Sequence, residues 1–151
     1  MKNLFDATVA NQVRARLGKL EPQSERRWGK MTPSQMLAHC SVSMQWAVGE
    51  MVPEKGPLPV RVIGRLVKPM VFRNEDPLRR NSPTAKSLIV ADDRNFDKER
   101  ERLSNLIDRF VGGGAAGCTK NPHSFFGKMT SEEWAILMYK HLDHHLRQFG
   151  V

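Results

Sequence analysis

Cysteine is scarce in this chain of 151 residues, with Cys40 and Cys118 the only two. Two thiols are too few for a disulfide framework, and these stand too far apart for a C-x-x-C metal or redox motif, so both are read as structural. Long hydrophobic runs are missing as well. The longest, Ala135-Ile136-Leu137-Met138-Tyr139 and Leu88-Ile89-Val90-Ala91, fall far short of the roughly 18 apolar residues that cross a bilayer. That excludes a spanning helix, and no membrane partner is expected. The start, Met1-Lys2-Asn3-Leu4-Phe5-Asp6, places an acid where a secretory signal would build its apolar segment, and no small-residue cleavage site follows. The expected location is cytoplasmic.

Acidic residues are in deficit: 16 Asp+Glu stand against 24 Lys+Arg, a formal charge of +8. The imbalance is uneven. Residues 1–50 hold seven basic and four acidic groups, 51–90 eight and three, and 91–151 nine and nine. A basic surface attracts anions without specificity. These residues are spaced singly, however, and no nucleic-acid-binding motif surrounds them, so the expectation is a solvated basic face and no nucleic-acid partner. With 40% hydrophobic and 26% charged residues, the chain reads as one folded globular domain over 1–151 rather than a disordered one.

What is there is helical periodicity. Leu4, Val9, Val13, Leu17 and Leu20 predict a first helix over Asn3–Leu20, closed by Pro22. Thr32-Pro33-Ser34-Gln35 combines a capping threonine, a proline at the first helical position and a glutamine able to complete a capping box, so a second helix is expected from Pro33 to Val48 or Gly49. Six prolines in 51–87 exclude one long helix there. That segment reads as a crossover connection with a short amphipathic stretch over Val60–Val67. Phe96, Leu103, Leu106, Ile107 and Phe110 predict a third helix over Asn95–Phe110, stopped by Gly112-Gly113-Gly114. Thr130-Ser131-Glu132-Glu133 is another capping box, opening a fourth helix over Ser131–Phe149. Four helices, no strand and one long crossover make an all-α four-helix bundle.

Three of the five histidines lie in Lys140-His141-Leu142-Asp143-His144-His145. At about 100° per residue, His141 and His145 fall about 40° apart inside the apolar stripe of Trp134, Leu137 and Met138, with Gln148 beside them. Lys140, Asp143 and Arg147 fall on the opposite side, expected to face solvent, and His144 falls at the rim. Two imidazoles four residues apart on a buried face can bind one divalent ion. They can equally be core histidines satisfied by hydrogen bonds. A third ligand must come from another helix, and His39 is the leading candidate because His123 falls in a loop. On its own wheel His39 stands at the edge of the stripe formed by Met36, Leu37, Cys40, Met44 and Ala47. Cys40 points about 100° away from it, toward the core.

The segments Arg27–Cys40 and Trp134–Gly150, with Phe125-Phe126-Gly127-Lys128-Met129-Thr130 between them, resemble the signature regions of a bacterial family of unknown function in the DinB/YfiT-like superfamily. That family usually carries His-Pro directly before the phenylalanines, where this chain has Asn121-Pro122-His123-Ser124. The resemblance implies an up-down-down-up four-helix bundle with a long crossover, and a three-histidine metal site. Carried over by position, the ligands are His39, His141 and His145. To these the wheel adds Gln148 as a candidate to support a ligand by hydrogen bonding.

Three neutral nitrogens leave coordination positions open to water or substrate, unlike a closed structural site with four protein ligands. The expected ion is divalent, zinc or nickel first, with iron and manganese open. Characterised members of the superfamily include thiol-dependent transferases and metal-dependent hydrolases, so the implied partner is a small-molecule substrate, with a low-molecular-weight thiol among the candidates, and the implied assembly is a homodimer. No acid flanks the ligands on the inner face of the last helix, which favours thiol activation over hydrolysis. The competing expectation is a non-catalytic binding or dimerisation module whose histidines are structural or hold adventitious metal.

Overall fold

Local signals place most of the helix starts. Asp6 caps α1 (Ala7–Leu17) by accepting from the backbone N–H groups of Thr8 and Val9. Thr32 and Gln35 form the expected capping box of α2 (Pro33–Ala47). Asn95 caps α4 (Phe96–Gly113) through the N–H of Lys98. Thr130 and Glu133 form the second capping box at α5 (Ser131–Gln148). The first helix is shorter than its apolar pattern, because Asp6 fixes the start while Leu4 and Leu20 are buried from the turns that flank it.

The expectation for 51–87 needs correction. In this computed structural model, which describes residues 1–151, a full helix α3 spans Leu58–Arg73, twice the length of the predicted stretch. Its prolines are tolerated for two physical reasons. Pro59 lies in the first turn, where its missing N–H has no partner to lose. Pro69 lies inside the helix but on its exposed side, where the carbonyl left without a donor is open to water. The protein therefore has five α-helices and a single 3-10 turn at Lys86–Leu88, with no strand.

One core of 24 buried residues joins α1, α2, α4 and α5, with Met36, Met44, Trp46, Ile107, Phe110 and Trp134 at its centre. α2 packs chiefly on α4, with α5 and the 3-10 turn on other sides, whereas α3 touches α5 alone among the helices. Eleven of the 15 residues of α2 are buried in consequence. Its burial is thus wider than its apolar stripe. Trp46 of α2 and Trp134 of α5 meet the ring of His123 while His39 meets His141, so α2 and α5 run antiparallel.

Gly64 fixes where α3 lies. A Cβ there would sit 2.1 Å from the carbonyl oxygen of Phe125, so only glycine lets α3 rest against the backbone of the 122–128 loop.

Candidate metal centre

The antiparallel pairing of α2 and α5 brings three imidazoles together. His39 and His141 lie 4.8 Å apart between ring centroids, His39 and His145 4.6 Å, and His141 and His145 4.7 Å. One nitrogen from each falls within 4.8 Å of the others, and the closest pair, the Nε2 atoms of His39 and His141, are 2.9 Å apart. A tetrahedral ion bound at about 2.0–2.1 Å sets its nitrogen ligands roughly 3.3 Å apart, a spacing these separations bracket. The three histidines can hold a metal ion.

Hydrogen bonds fix how two of the rings present themselves. His39 Nδ1–H donates to the carbonyl of Leu88 at 2.8 Å, and His145 Nδ1–H donates to Gln148 Oε1 at 2.9 Å. Each bond commits Nδ1 as a donor and leaves Nε2 with its lone pair for a ligand. Gln148 is itself held, since its Nε2 donates to the carbonyl of Trp28 at 2.7 Å. That contact depends on Gly29, at φ +78°, where a Cβ would meet Gln148 Nε2 at 2.3 Å.

Electrostatics keep the rings neutral. Burial pushes His145 down to about 3, aided by the neighbouring His39 and opposed by the Gln148 bond. Burial also lowers His39, against the Leu88 bond, and takes His141 well below the ordinary value, with the surrounding histidines adding to the effect. Neutral imidazole is the ligand form. His39 and His145 are buried and His141 retains partial exposure. The burial of His39 exceeds what its wheel position implies, because the 3-10 turn covers the side of α2 that the core leaves open.

The other candidates lie elsewhere. His144 leans edge-on against His145 and Trp28, with Nδ1–H on the carbonyl of Leu78 at 3.1 Å. His123 is a structural acceptor: its Nδ1 takes the backbone N–H groups of Phe125 and Phe126 at 3.1 and 3.3 Å, and burial lowers it to about 4. Cys40 packs on Met36 with its thiol pushed well up by burial.

Two charges expected in solvent are instead buried. Asp143, 6% exposed, receives Arg16 at 2.6 Å and Arg147 at 2.8 Å, because α1 packs on that side of α5. Lys140, 5% exposed, donates to the carbonyls of Asn74 and Asp76, which close over it after α3. Leu88 and the Trp28-Gly29 cradle escaped sequence reasoning. The first acts through its backbone, which leaves no side-chain signal; the second lies inside the Arg27–Cys40 segment as a glycine beside a tryptophan.

Fold and site together define an all-helical protein with a buried histidine triad suited to a metal ion. The chain belongs to the family described as "Protein of unknown function (DUF1569)", which matches residues 2–150. No curated protein and no solved structure matches it.

Proposed function

We propose that this protein binds one divalent transition metal through His39, His141 and His145 and acts as a metal-dependent enzyme, of thiol-transferase or hydrolase type, on a small molecule. The observation that carries the reading is the convergence of three neutral imidazoles, two of them oriented through Nδ1 by Leu88 and Gln148. A bound ion supplies Lewis acidity at positions the protein does not fill, and zinc or nickel suits imidazole ligands best. The chain's own part is to hold three imidazoles in place, keep the rings neutral and admit solvent or substrate past His141. No carboxylate bonds to the three rings, which favours a substrate able to lose its own proton, such as a low-molecular-weight thiol, over water requiring a general base.

The order of α1, α2, α4 and α5, with α3 in the connection between the middle pair, supports a DinB/YfiT-like four-helix bundle. A cytoplasmic homodimer completes the proposal. The test is elemental analysis of tag-free protein, followed by thiol-transfer and hydrolase substrate panels on metal-loaded, metal-free and His141→Ala protein. About one metal per chain and rates confined to the loaded form are expected. A loaded protein indistinguishable from the other two across the panel would return the site to a binding module.

A further inference from the structure

Helix α3 turns two faces to its surroundings. Gly64, Val67, Val71 and Phe72 lie against the rest of the chain, yet a second apolar row faces water. Leu58, Val62, Leu66 and Met70 recur every four residues, so they adjoin along one side. Leu66 is 76% exposed, Leu58 and Met70 69% each, and Ile63 beside them 54%. A single exposed leucine is ordinary, whereas a contiguous row on one helix marks a surface with a partner.

Beside α3, against the 122–128 loop, runs an open cleft of about 530 Å³ lined by Lys55, Arg61, Arg65, Lys68 and Lys128. Of these five cations only Lys68 has an acidic partner, Glu133 at 2.8 Å. Four cations around one cleft without counter-charge favour an anion there, and Gly64 lets α3 close on the loop. None of the three histidines lines it. The cleft is therefore not the mouth of the metal centre.

We infer that α3 and this cleft dock the protein on anionic phospholipid, with headgroup phosphates among the unpaired cations and the Leu58–Met70 row in the interface below them. Charge complementarity selects this occupant. A free phosphate would use the cations and leave the apolar row in water, and a second copy seated on this face would cover the row while bringing its own unpaired Lys55, Arg61, Arg65 and Lys128 against these. An anionic bilayer accounts for both features on one helix. A helix lying in the plane of the interface needs no spanning length, so the lack of a membrane-crossing helix does not oppose it.

The test is sedimentation of the full-length, tag-free protein with vesicles of phosphatidylcholine alone and of phosphatidylcholine mixed with phosphatidylglycerol, at low and high salt. Binding to the anionic vesicles alone, weakened by salt, is expected. Arg61→Gln with Arg65→Gln should reduce partitioning roughly 25-fold, at about fivefold per cation, and Leu66→Gln about tenfold. These positions lie at the surface, so circular dichroism should be unchanged, and the comparison of lipid compositions stands without any variant. Failure to bind anionic vesicles at low salt overturns the inference. So does binding independent of lipid charge, phosphate binding without vesicle binding, or a dimer broken by Leu66→Gln that never engages lipid. Metal content reports separately on the histidine site and is expected to be the same in all these variants.

Discussion

Helix α5 buries Lys140, Asp143, His145 and Gln148, while α3 leaves Leu58, Val62, Leu66 and Met70 in water. The two helices depart from apolar-in, charged-out patterning in opposite directions. On α5 each of these four has a named partner: Arg16 and Arg147 for Asp143, two backbone carbonyls for Lys140, Gln148 for His145 and the Trp28 carbonyl for Gln148. On α3 the apolar row has no partner within the chain. A buried polar group with its hydrogen bonds made is internal architecture, and an exposed apolar row is a surface awaiting something outside.

The sharpest way to break this comparison is to remove what the α5 partners position. His141→Ala, His145→Ala and His39→Ala should each lose metal altogether, while His144→Ala, whose ring bonds Leu78 instead, should keep it. Retention of full occupancy in all three ligand variants, measured on tag-free protein, would remove the site from these residues.

Acid should act next, through His123. Its folded-state value lies near 4, below the ordinary 6.5, so the unfolded chain binds more protons between the two. Stability from this group is therefore present above about pH 6.5 and is lost as pH falls toward 4, on the order of a few kcal/mol. Asparagine at 123 offers an acceptor oxygen near the position of Nδ1 and does not titrate. His123→Asn should make the dependence of the melting temperature on pH shallower in metal-free protein without removing it, because burial lowers His39, His141 and His145 as well.

Asp143→Ala should lower stability by about 2–3 kcal/mol in denaturant titration, because two charge-assisted hydrogen bonds are lost and Arg16 stays partly buried. The glycine beneath Gln148 is worth about 1–2 kcal/mol by the same measurement. Gly29→Ala forces a left-handed residue and displaces the Gln148 amide, and it should also weaken metal affinity about 10-fold or more through loss of the His145 support. The smallest effect belongs to α3. Leu66→Gln should change folding stability by less than about 0.5 kcal/mol, since the side chain already lies in water; a large loss would show that α3 is held by contacts through that side.

Capping chemistry made several boundaries legible from the chain alone. Thr32 with Gln35, and Thr130 with Glu133, are local devices acting over three residues, and each opens its helix where the pattern places it. Pro69 misled because proline reports a missing donor but not whether water can reach the carbonyl it strands. The i, i+4 spacing placed His141 and His145 on one side of α5 for the same local reason, and here they face each other 4.7 Å apart. Periodicity describes one helix against an imagined flat core. It therefore set His39 at an edge, and Lys140 and Asp143 in solvent, where the real surroundings on several sides bury all three.

Residue order by itself determined the starts of α2, α4 and α5, the absence of a membrane-crossing run and the shared side of His141 and His145, because each follows from hydrogen bonds and side-chain directions within a few residues. Tertiary structure decided the rest. Whether His39 reaches His141, whether Asp143 meets Arg16 and whether the apolar row of α3 is covered depend on how helices from distant parts of the chain stack. No local period carries that information, since the contacts join residues about 100 positions apart or more and exist only once the core has closed.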